Sequence, residues 1–153
     1  MSVIEEKINS LSKSKFRSSF HLRKYMIDYV NKYGLDKIEK DANYFIENRI
    51  SDTSKVVDGH QTPMKNHPFF IAQHATATCC RNCLYKWYQI EKGRQLTSHE
   101  IDFCVALIMT WIKKIENNKK TIVFIYFLLY NKSYKSLRKG WYCARNKKYN
   151  KSL

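Results

Sequence analysis

The chain has 153 residues, a formal net charge of +15, 44% hydrophobic and 27% charged residues, and only four Gly and two Pro. That length supports a domain whose core needs no disulfides, and the composition excludes a disordered, collagen-like or disulfide-stapled chain. Few chain breakers and many long side chains favour helices over a turn-rich sandwich.

Residues 1–19 are rich in Ser and Lys, and Ile4, Ile8 and Leu11 make a short helical stripe, a lead-in to the main domain. A helix is predicted over Leu22 to Tyr33, where Tyr25, Met26, Tyr29, Val30 and Tyr33 recur at helical spacing and Gly34 supplies the stop. A second covers Leu35 to Ile50, with Leu35, Ile38, Ala42, Phe45, Ile46 and Arg49 on one face. Ser51 to Asn66 has no periodicity and contains Asp58-Gly59 and Pro63, so it is predicted as a loop. Loops of this length are either functional or plain surface connections. Pro68 suits the first turn of a third helix, running to Trp87 or Tyr88. Thr97-Ser98-His99-Glu100 is a capping box for a fourth, striped by Ile101, Cys104, Val105, Ile108, Ile112 and Ile115.

The expected fold is all-α: a single compact domain of four main helices, residues 20–116, with the long loop before the central helix. Residues 117–153 are expected to be a C-terminal extension. Ile122 to Tyr130 is apolar on every side, and the remainder is Lys, Asn, Tyr and Ser. From Lys114 to Leu153, eleven Lys and Arg stand against one acid, Glu116, so +10 of the +15 lies in this segment. Such charge draws nucleic acid or anionic membrane non-specifically.

The residues after Met1 lack the apolar core of a secretory signal, and the run from Ile122 is about half the length that crosses a bilayer. A cytoplasmic location without a transmembrane segment is expected. The five cysteines are then reduced thiols or metal ligands.

The third helix carries the chemistry. Projected at about 100° per residue, His74, Thr78, Arg81 and Tyr85 form a polar stripe, while Cys79, Cys80 and Cys83 face the core. His74 is a candidate general base or phosphate contact, Arg81 an anion contact, and Thr78 and Tyr85 hydrogen-bond donors. His60, Gln61 and Thr62 of the loop are candidate binding residues folded over this stripe, with His67 at its mouth. The alternative is a solvated or helix-facing side whose histidine is satisfied locally.

Cys80-x-x-Cys83 has the spacing of a zinc half-site. On a continuous helix His74 points away from the thiols, so further ligands must come from elsewhere, with His60, His99 and Cys104 as candidates. Otherwise Cys79, Cys80 and Cys83 are small buried hydrophobes, a common role for free cysteine. A redox pair would want a strand-to-helix setting that this stretch lacks. No Ser-His-Asp order, Gly-rich phosphate loop or His-Glu-x-x-His signature is present. The abundant aromatics sit mostly at core positions, and no RRM aromatic motif or paired zinc finger occurs.

The string Gln61-Thr62-Pro63-Met64, His67-Pro68, Ile71 to Arg81, Cys83-Leu84 and Lys86-Trp87 closely resembles a bacterial and phage family called domain of unknown function 4186. Phe20-His21-Leu22-Arg23, Ile108-Met109 and Trp111-Ile112 look like its flanks, so the resemblance covers about Phe20 to Lys113. It implies a compact cytoplasmic domain with no assigned activity. Asp41 and Tyr88 stand where that family is expected to carry histidines, and the tail has no counterpart in it. Three classes of function stay open. First is a nucleic-acid-associated protein, binding or processing through its basic surface. Second is a zinc-stabilised structural or interaction domain, and third a small-molecule enzyme using His74 and the preceding loop. Whether it is an enzyme, and its oligomeric state, are not legible in the sequence.

Overall fold

Ser2 starts the first helix, accepting from the Glu5 backbone N–H while the Glu5 carboxylate accepts from the Ser2 N–H at 2.8 Å. This is seen in a computed structural model, which describes residues 2–51, 57–118, 121, 124 and 125. Among these residues the structure is all-helical and contains no strand, as the composition predicts. Two compact units divide the chain, Met1–Lys114 and Ile115–Leu153. In the second, residues 115–118, 121, 124 and 125 are helical; the rest of the apolar run from Ile122, and Cys143, lie outside the described residues.

In the first unit, α1 (Val3–Ser12) buries Ile8 and Leu11. The short α2 (Lys15–Ser18) is capped by the Ser14 hydroxyl. The next helix, α3 (Lys24–Phe45), is interrupted at Gly34, where φ is +79° and ψ 164°. The two predicted helices are therefore its two arms, joined at a residue in a conformation that disfavours any side chain. A π-helical stretch, Ile46–Ser51, carries the chain off the end of α3. Thr97 and Glu100 form the predicted capping box of α6 (residues 98–118). The Arg94 guanidinium grips both Glu100 oxygens at 2.7 and 2.8 Å, holding that carboxyl down at about 2. The core gathers Val30, Ile38 and Ala42 of α3, Phe69 and Ala72, Leu84, and Cys104, Ile108 and Ile112 of α6.

The third predicted helix is not continuous, and this corrects the geometry drawn from it. The chain forms α4 (Pro68–Ala75) and α5 (Arg81–Tyr88), separated by a turn at residues 76–80. Ala77 in that turn has φ +56°, a left-handed conformation unfavourable for a residue with a Cβ. The break follows from polar side chains competing for the backbone. Thr76 Oγ1 donates to the Ala72 carbonyl at 2.7 Å, Gln73 Nε2 to the Thr78 carbonyl at 3.3 Å, and Thr62 Oγ1 to the Cys79 carbonyl at 2.9 Å. The Tyr88 hydroxyl reaches back to donate to the Thr76 carbonyl. Residues 71–81 are buried throughout. No helix of the described residues is long and apolar enough to cross a membrane.

Candidate metal centre

The turn between α4 and α5 brings three thiols together. Cys79 leaves the turn, Cys80 is the N-cap of α5, and Cys83 lies in its first turn. Their sulfurs all fall within 4.8 Å of one another, with Cys79 Sγ and Cys83 Sγ 3.6 Å apart. Cys80 Sγ accepts the Cys83 backbone N–H at 3.4 Å, the place a capping oxygen would take. The N-terminal end of a helix dipole favours negative charge, so thiolates are stabilised here.

A second source of positive charge arrives from α2. Arg17 is 8% exposed, and its guanidinium donates to Cys83 Sγ at 3.1 Å, to Cys79 Sγ at 3.8 Å and to the His74 carbonyl at 2.6 Å. A buried guanidinium needs an anion, and among the described residues no carboxylate pairs with it; the sulfurs take that part. Hydrogen bonds from the Cys79 and Cys80 thiols, and then Arg17, hold Cys83 far below the ordinary thiol range. The same hydrogen bonds, with burial, push Cys79 up, so in the free thiol cluster the charge rests on Cys83.

Most of the other sequence-predicted site residues serve the scaffold. His74 is 7% exposed, stacks on Phe20 with ring centroids 5.4 Å apart, and places Nε2 3.2 Å from the Pro63 carbonyl. Burial lowers its pKa. Thr78 is fully buried against Thr76, their hydroxyls 3.1 Å apart. Arg81 is 1% exposed: its Nη2 donates to the carbonyls of Glu91 and Arg94, while Nε and Nη1 have no partner among the described residues. Gln61 bridges the Arg49 carbonyl and the Arg81 N–H, both at 3.0 Å. Thr62, also buried, braces the turn through the Cys79 carbonyl and Gln73. His67 caps α4 and lies 3.6 Å from Asp41, the residue standing in a position where histidine was expected. His60 and Tyr85 are exposed, Tyr85 beneath the Lys92 ammonium. Thus the stripe of His74, Thr78, Arg81 and Tyr85 does not form, because the helix that would carry it is broken.

The thiol pair Cys80 and Cys83 does come together, with Cys79 as a third member that the continuous projection had assigned to core packing. Cys104, a candidate further ligand, is instead buried in the core, its thiol pushed up to about 12 by burial. His60 and His99 do not join the cluster. No local sequence pattern points to Arg17. The family model described as Domain of unknown function (DUF4186) matches residues 5–113. No solved structure matches the chain.

Proposed function

The chain belongs to the DUF4186 family of domains of unknown function, and we propose that it is a metal-thiolate protein in which Cys79, Cys80 and Cys83 bind one zinc ion. The observation that carries this is the convergence of three sulfurs within 4.8 Å under a buried guanidinium. Tetrahedral zinc with Zn–S bonds of about 2.3 Å sets its sulfurs about 3.8 Å apart, close to the 3.6 Å between Cys79 and Cys83. Metal ligation needs deprotonated thiols, and both Arg17 and the α5 N-terminus favour them. Three thiolates and a dication leave one negative charge, which Arg17 cancels. The metal would pin the irregular segment between α4 and α5, adding to the hydrogen bonds and burial that hold its left-handed turn. Thiol centres of this kind persist where cysteines stay reduced, so we place the protein in the cytoplasm.

Nucleic-acid association, the class that net charge favours, gains nothing from this site. His74 and Arg81, its proposed phosphate contacts, are 7% and 1% exposed. The same burial removes His74 as an accessible general base for a small-molecule enzyme.

The test is elemental analysis of protein purified without chelator. About one zinc per chain is expected, lost in Cys79→Ser and Cys83→Ser and kept in Cys104→Ser. A metal-free chain that keeps its fold, with Cys83→Ser costing only stability, overturns the proposal.

A further inference from the structure

Resting on that reading, we infer that the zinc centre is open: its fourth donor is a small thiol from solution rather than a side chain of the protein. Among the described residues the cluster has three ligands and no fourth His, Cys, Asp or Glu. Two other candidate ligands are committed elsewhere. The His74 ring is stacked on Phe20 and directed at the Pro63 carbonyl, and Cys104 belongs to the core. Three protein ligands with an exchangeable fourth position is the pattern of reactive rather than purely structural zinc.

Charge supports an open shell. With Arg17 against the sulfurs, zinc and three thiolates sum to zero with neutral solvent in the fourth position, and a bound thiolate leaves one negative charge for solvent to screen. Access supports it too. Cys79 and Cys80 are buried but Cys83 is only half-buried, giving the centre one solvent-facing side. The donor chemistry is taken from the ligand set: zinc is selected by thiolate ligands, and a small thiol supplies a fourth donor of the same kind. On binding, the incoming thiol gives its proton to solvent, and its sulfur replaces solvent at the metal.

X-ray absorption at the zinc edge tests this, on full-length protein kept reduced with a phosphine and free of thiols. Three sulfurs and one lighter atom are expected, changing to four sulfurs when 2-mercaptoethanol is added, with saturation. Four sulfurs before any thiol is added would overturn the open centre while leaving zinc binding intact. The same measurement on Cys143→Ser shows whether that residue had closed the shell. Three sulfurs that do not respond to 2-mercaptoethanol overturn the choice of ligand. A chain that binds no zinc at all removes both the reading and this inference.

Discussion

Replacing Arg17 by Met keeps an apolar stem of similar length and removes the guanidinium. In the metal-free protein three partners lose their donor: the His74 carbonyl, at 2.6 Å, the Cys83 sulfur, at 3.1 Å, and more weakly the Cys79 sulfur, at 3.8 Å. A buried carbonyl left unpaired costs about 1–3 kcal/mol. Breaking a buried ion pair costs about 3–5 kcal/mol when the stranded charge must stay. A thiolate need not stay, since it can take up a proton, so the loss is capped near the lower figure, and about 2–3 kcal/mol is expected. With a urea slope of about 1–3 kcal/mol per molar, the unfolding midpoint falls by about 1 M. The proton uptake is visible separately. Thiolate ultraviolet absorbance followed against pH in reduced, metal-free protein places the Cys83 titration well below the ordinary thiol range, and Arg17→Met moves it up by at least about one unit, equivalent to about 1.4 kcal/mol. Arg17→Lys keeps the charge but loses the planar fork, and falls between the two. An unchanged thiol titration together with a stability loss under about 0.5 kcal/mol would refute the role given to this guanidinium, since surface substitutions do no more.

Three further outcomes follow from the scaffold. Ala77→Val, a β-branched residue forced into the left-handed region, destabilises by about 2 kcal/mol or more, whereas Ala77→Gly stays within about 1 kcal/mol; equal effects in urea melts would count against strain at this turn. Tyr88→Phe costs about 1–2 kcal/mol by orphaning the Thr76 carbonyl, and a neutral result would mean water replaces the hydroxyl. Burial lowers the His67 pKa, so the unfolded chain takes up its proton first and stability falls as pH drops below the ordinary histidine value, levelling off below the folded one. His67→Asn keeps the cap and removes this titration, so Tm against pH becomes shallower over that window, the remainder belonging to His74, whose pKa burial also lowers; an identical slope in both proteins would rule His67 out as a source.

Where structure is local, the sequence announces it. The capping box at Thr97 and the stripe through Cys104, Ile108 and Ile112 lie within one helix, and both are seen. Gly34 likewise marks the break in α3. The turn at residues 76–80 was misread because apolar periodicity continues across it, and a projection assumes the continuity it seeks to establish. The signal available was Thr76 and Thr78, β-branched hydroxyl residues whose side chains compete for backbone groups. The nearness of Cys80 and Cys83 is legible from spacing, and Cys79, which a helical projection puts on the same face, completes the cluster of three. Gln61 and Thr62, expected to fold over the polar stripe, instead brace the turn between α4 and α5, their polar atoms consumed by Arg49, Arg81, Gln73 and Cys79. Arg17 was invisible: it contributes through a contact 66 residues distant in the chain, and no periodicity encodes that.

That distance has a consequence for the order of assembly. The three thiols span five residues, so bringing them together closes only a short loop, whereas docking Arg17 on Cys83 closes one of 66. The longer closure costs about 2–3 kcal/mol more entropy and is won only as the core packs. A refolding chain therefore has a period in which its cysteines are adjacent and the cation is not yet among them. On the proposed zinc reading, an ion offered during that period meets a Cys83 thiol that Arg17 has not yet helped to deprotonate, and its capture is slower than capture by the finished fold. The cluster is then also most open to stray oxidation, so reductant present during refolding should raise the yield of metal-competent protein more than reductant added afterwards.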